Sequence, residues 1–111
     1  MRLRTALTAA TAAFALALSA AGSSAAATGE FRYVTLDLNN VQIQHVLDDP
    51  QSGECIDLEG TGNLPALLGR NLTTSVATVF QEAACDGDTF WVANPGAFVP
   101  VTARFRSVVF S

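Results

Sequence analysis

Residues 31–38 alternate as FRYVTLDL, with Val34, Leu36 and Leu38 on one face and Phe31, Tyr33 and Thr35 on the other. Period-two alternation rich in aromatic and β-branched residues predicts a strand. Asn39 and Asn40 follow as a turn signal, because asparagine tolerates positive φ. Residues 41–47, VQIQHVL, then complete a hairpin, with Val41, Ile43 and His45 on one face and Gln42, Gln44 and Val46 on the other. Pro50 ends it, since proline cannot donate to a ladder and biases Asp49 away from helix. A short third strand is expected over residues 54–58, ECIDL. The next stretch is broken by Gly60, Gly62, Pro65 and Gly69. One helical turn fits residues 65–68, as proline suits the first helical position.

The C-terminal half repeats the strand-and-breaker rhythm. Strands are expected over residues 75–80 (SVATVF), 89–93 (TFWVA) and 105–110 (FRSVVF). Between them lie a loop with Cys85 and Gly87, a turn at Asn94, Pro95 and Gly96, and the irregular return GAFVPVTAR. Short strands separated by Gly, Pro and Asn imply an all-β fold, a small Greek-key β-sandwich.

The first residues read differently. Arg2 and Arg4 precede an apolar, alanine-rich run and a small-residue tail ending in Ala25, Ala26 and Ala27. This pattern predicts a cleaved secretory signal peptide over residues 1–27, its apolar run being too short and too poor in large side chains to span a bilayer. Residues 28–111 then form one small secreted, extracellular domain. Cys55 and Cys85 are the only cysteines. In an oxidising compartment they are expected to pair, closing a loop of about 31 residues and contributing roughly 3.5 to 4 kcal/mol. A single pair without Cys-x-x-Cys argues against a metal or redox role. Two of the six basic residues lie in the leader, so four arginines face ten acids, and there is no lysine. Such a chain repels phosphate backbones and anionic lipid, which excludes nucleic acid and membrane surfaces as partners. The composition is that of a bacterial exoprotein.

The segment VATVFQEAACDGDTFWV, followed by PG and FRSVVF, resembles a Greek-key motif of the β/γ-crystallin superfamily. In that motif an aromatic, an acidic loop, a glycine and a late serine recur in order. Phe80 stands at the aromatic position, Gln81 and Glu82 open the loop, Gly87 is the glycine and Ser107 the serine. The resemblance implies a bent hairpin whose glycine takes positive φ. The aromatic would lie across the bend, and the serine would satisfy backbone groups that the bend leaves unpaired. A first motif would have to run through VLDDPQSGECIDLEG and NLTTSV, where Gly53 and Cys55 echo Gly87 and Cys85 but no aromatic precedes them. It is degenerate or replaced, which counts against two-fold pseudo-symmetry. The resemblance also implies calcium as the one candidate cofactor, because RNLTTS matches the superfamily's ligand stretch at Asn71, Thr74 and Ser75, with Glu82 as a further oxygen. Arg70 occupies the position of the first acid or amide and works against a hard cation. The alternative is a turn whose hydroxyls bond its own backbone.

No catalytic constellation emerges. His45 is the only histidine and reads as a strand bystander; no nucleophile-elbow glycine pattern accompanies any serine. Glu54, Asp57 and Glu59 would suit paired glycosidase carboxylates, yet on one short strand they read as a solvated edge. Asn71-Leu72-Thr73 is a formal glycosylation acceptor and incidental behind a bacterial leader. Trp91, with Phe90 and Phe98 near it, is either one side of the core or a contact for a partner. The expectation is a non-enzymatic protein with a structural or extracellular binding role and a protein or cell-surface partner. The alternative that the resemblance implies is a small inhibitor of metalloproteinase type or an antimicrobial, killer-toxin-like protein, with GAFVPVTAR as the contact loop. A monomer is expected, the hairpin edge offering a surface for a dimer.

Overall fold

The computed structural model describes residues 26–111, so the expected leader lies outside the described residues except for Ala26 and Ala27. Ala27 is buried, and its N–H donates to the Pro50 carbonyl (2.8 Å). β1 (Gly29–Leu36) and β2 (Gln42–Asp48) form an antiparallel hairpin in which Tyr33 faces His45. Asp37 closes the connection by accepting the N–H groups of Asn39 (2.8 Å) and Val41 (2.9 Å), and Asn40 takes φ 65°.

The chain then leaves this sheet. β3 (Ile56–Asp57) pairs with β7 (Ser107–Phe110), and β4 (Leu67–Thr73) comes back to pair with the other side of β1. The second half takes the same path. β5 (Ala77–Phe80) and β6 (Phe90–Ala93) form a hairpin, residues 97–99 cross to lie beside β4, and β7 returns to pair with β5. The crossing segment is held by Asn71 N–H to Ala97 O (2.9 Å) and Val99 N–H to Gly69 O (2.8 Å). Two antiparallel sheets result, ordered β2-β1-β4 and β3-β7-β5-β6. The halves differ in residues, as the missing aromatic suggested, yet each lends its third segment to the sheet of the other.

The core lies between the sheets. In β1 the aromatic face turns inward: Phe31, Tyr33 and Thr35 are buried, whereas Leu38, just past the end of the strand, is 84% exposed. The Phe31 ring meets Phe105 (6.5 Å) and Phe110 (5.7 Å) edge-on, joining the first sheet to the second. Edge-to-face pairs of this kind add to area burial. Gly69 is required by close approach, because a Cβ there would lie 2.8 Å from a Val99 methyl and 3.0 Å from the Phe105 ring. Among the described residues there is no α-helix, and no helix is long and apolar enough to cross a membrane.

The helical turn expected at residues 65–68 is replaced by extended chain. Ala66 exchanges both backbone bonds with Phe105 (2.7 and 3.1 Å), so its N–H and C=O cannot serve a local turn. Leu68 takes φ 55° where the β1–β4 register shifts between Arg32 and Val34. Long-range pairing overrides the local proline signal.

Tyr33 is the only tyrosine, it is 2% exposed, and its hydroxyl donates to the Glu59 carbonyl (3.3 Å). Burial pushes its pKa upward. The folded state then holds the phenolic proton more tightly than the unfolded chain does. This contribution to stability is complete below the ordinary value of about 10 and is lost as pH rises through the raised folded value. Tyrosinate absorbance of the native protein is expected to rise in one step displaced above about 10 and to return there in denaturant. A native step at the ordinary value would mean that water reaches the ring.

Candidate functional site

Three groups of residues carry the chemistry expected from the sequence. The first is the β5–β6 connection. Ala84 (φ 60°), Cys85 (φ 53°) and Gly87 (φ 81°) all lie in the left-handed region, which only the glycine enters without strain. The fold supplies fixed partners for the strained backbone. Ala84 N–H donates to Asp57 Oδ1 (2.7 Å), Cys85 N–H donates to Ser107 Oγ (2.9 Å), and Ser107 Oγ donates to the Glu82 carbonyl (2.6 Å). The Cys55–Cys85 disulfide ties the same loop to the chain entering β3, with Cα atoms 5.9 Å apart. The Phe80 and Phe90 rings lie 5.8 Å apart across the hairpin. Asp57 is therefore occupied as a backbone acceptor, and Glu82 is exposed.

The second group is the expected calcium stretch. Asn71 is fully buried and its amide is committed: Nδ2 donates to the carbonyls of Ser75 (2.7 Å) and Ala93 (2.9 Å). Its Oδ1 accepts the Thr73 N–H (3.0 Å), with the Thr73 hydroxyl 2.7 Å away. Thr74 Oγ1 accepts the Thr28 N–H (3.1 Å), and Ser75 N–H donates to Thr73 Oγ1 (3.2 Å). Asn71 lies by Ala93, at one end of the β5–β6 ladder, while Glu82 follows Phe80 at the other. The four oxygens do not converge, and no group of three His, Cys, Asp or Glu side chains able to hold a metal exists among the described residues. Asn71 and Glu82 stand at opposite ends of the ladder, and the Asn71 amide is already committed to protein partners. The stretch is a turn that satisfies its own backbone.

The third group surrounds β1. His45 Nε2 lies 2.7 Å from Thr35 Oγ1, and its ring stacks on Tyr33 with centroids 4.8 Å apart. This pair has the look of a nucleophile and a base. However, Thr35 is 1% exposed, and Gly60 lies so close that a Cβ there would be 2.9 Å from its hydroxyl. The Thr35 hydroxyl is thus buried in an internal hydrogen bond, while the His45 ring also borders the surface. Trp91 sits half-buried against the core, whereas Phe90 and Phe98 are exposed.

On the outer face of the three-stranded sheet, where Phe98 alone had been expected as a contact, the structure holds an open groove of about 540 Å³. Arg32, Val34, Val46, Leu68, Arg70 and Phe98 line it. The guanidinium of Arg70 lies over the Phe98 ring, 4.6 Å from its centroid. Sequence reading noticed Arg70 only as a misfit in RNLTTS. Its partnership with Arg32 and Phe98 depends on the β1–β4 register and on the crossing segment, which no local pattern reveals.

No family model matches the chain, and neither a curated protein nor a solved structure is significantly similar to it.

Two substitutions probe this account. Ser107→Ala removes a buried hydroxyl that serves two backbone groups, and is expected to cost about 1 to 3 kcal/mol, lowering the melting temperature of the oxidised protein by about 5 to 15 °C. A change within error would mean that the disulfide alone holds the loop. Asn71→Asp strengthens a calcium ligand but sets a carboxylate against two carbonyl oxygens. Thermal unfolding is expected to show a loss above about 2 kcal/mol in EDTA and in calcium alike. Rescue by calcium would restore Asn71 as a ligand.

Proposed function

We propose that the chain is a secreted, non-catalytic binding protein on a β/γ-crystallin-like Greek-key sandwich. Support for the fold comes from the path shared by both halves and from Phe80, Gly87 and Ser107 acting around one bent hairpin as the motif requires. Secretion rests on the leader pattern and agrees with the disulfide. One observation carries the binding reading: the groove beside Arg70 is open, while the His45 ring at its border and the Asp57 carboxylate each already hold an internal hydrogen bond. The working state is a monomer, stapled by the disulfide in place of calcium.

A second reading has an observation of its own. Residues 100–102 form an exposed turn between buried Val99 and Ala103, with Val101 70% exposed. Ala103 N–H donates to Pro100 O (2.9 Å), and Arg104 Nη1 donates to Val101 O (3.1 Å). A prefixed, protruding turn is what a protease inhibitor presents, since its ordering is settled before binding.

The test uses the processed protein collected from the medium of cells expressing the full chain. Against panels of metalloproteinases and other proteases, and of ester and glycoside substrates, neither inhibition nor hydrolysis is expected at micromolar protein. Inhibition that Val101→Asp removes would install the inhibitor reading. Hydrolysis that His45→Ala removes would overturn the non-catalytic one.

A further inference from the structure

The β1–β4 register sets Arg32 directly opposite Arg70 on the outer face of the sheet. Like charges in that position destabilise a sheet, so the pairing calls for compensation. Arg32 has it: its Nη2 lies 2.7 Å from Glu30 Oε1, the one ion pair among the described residues. Arg70 has no such partner. Its Nε–H is buried without an acceptor, and its guanidinium lies over the Phe98 ring. The groove wall contains no acid at all, in a chain whose formal net charge is −4.

We propose that this groove is a binding site for an aryl carboxylate, either a small free aromatic acid or the carboxyl end of a peptide finishing in an aromatic residue. The ligand class follows from the two halves of the wall. An arginine without a counter-charge offers a planar fork that matches a carboxylate and is weakly hydrated. Val46, Leu68 and the 66% exposed Phe98 ring, with the largely buried Val34 beneath them, offer an apolar bed for a flat body. A volume of about 540 Å³ suits a small organic molecule. Polyanions are disfavoured, because ten acids on the rest of the surface repel extended negative charge while one local cation attracts a single carboxylate. Phe98 also fixes the Arg70 plane by stacking, so part of the ordering needed for binding is already in place.

This assignment rests on the binding reading above and is tested separately from it. Titration calorimetry of the oxidised protein with 2-naphthoate and with the neutral 2-naphthylmethanol separates the charge from the ring. The acid is expected to bind at least about tenfold tighter than the alcohol, as a charge-assisted hydrogen bond implies. Arg70→Gln is expected to remove that difference and Arg70→Lys to restore part of it, with Arg104→Gln as an unaffected control. Should Arg70→Gln fold poorly, Leu68→Glu places an acid beside the guanidinium at an exposed position and is expected to compete with the ligand. N-acetyltryptophan against short peptides ending in tryptophan then distinguishes the sources: equal affinity favours a free acid, and a gain with the peptide favours a chain terminus. Equal binding of acid and alcohol, no binding of either, or indifference to both the Arg70 and Leu68 variants overturns the assignment. None of these results bears on the panels of hydrolysis and inhibition, which decide the broader reading.

Discussion

The Ser107 hydroxyl donates to the Glu82 carbonyl and accepts the Cys85 N–H, and by these two bonds the β5–β6 connection is folded back over the last strand. Two residues with side chains, Ala84 and Cys85, are held in the left-handed region there. Each such residue costs on the order of 1 kcal/mol or more, so the loop would relax without outside partners. Asp57 and the disulfide supply the rest of the hold, and both reach it from the N-terminal half. The bent loop of one half is thus stabilised by the crossing segment of the other. Because β3 belongs to the second sheet only through β7, the clamp also keeps the two halves interlocked.

That interlock explains how a domain of this size holds a core. Neither hairpin covers its own apolar face. Phe31 in the first sheet is buried only because Phe105 and Phe110 stand against it from the second half, and Gly69 lets Val99 and Phe105 approach β4. Small domains bury too little surface to be robust without a staple. The staple here is the Cys55–Cys85 disulfide. Elsewhere in the fold, the Asn71 amide is committed to the carbonyls of Ser75 and Ala93 and to the Thr73 N–H.

Much of the fold was legible in residue order, and the limits have physical causes. Alternation located six of the seven strands to within a few residues and missed β4, and it split β1 into two faces. It could not say that Phe31, Tyr33 and Thr35 face inward, since Val34 and Leu36 are apolar too and the choice is made by what packs above. At residues 65–68 proline and leucines signalled a turn, but Ala66 bonds to Phe105, far along the chain. At the site, the cysteine pair was readable by chemistry alone, whereas Phe80, Gly87 and Ser107 were singled out only through a resemblance, since Ser107 meets Cys85 and Glu82 22 and 25 residues away. Asn71 was noticed for its type, yet its partners Ser75 and Ala93 assign it to structure.

Arg70 marks where local reading stops, and it ties the fold to the proposed site. Its neighbour across the ladder is set by the β1–β4 register, and its aromatic partner arrives only because residues 97–99 cross over from the second half. The crossing segment pairs along β4 through Ala97 and Val99, which turn inward, and alternation then sends Phe98 outward onto the guanidinium. The same exchange that completes the sheet therefore builds one wall of the groove. A sheet closed by its own half would leave Arg70 on a bare surface, where water would screen it and no apolar bed would adjoin it. The strand exchange, not any single motif, gives this acidic chain a cation with an aromatic plane beneath it.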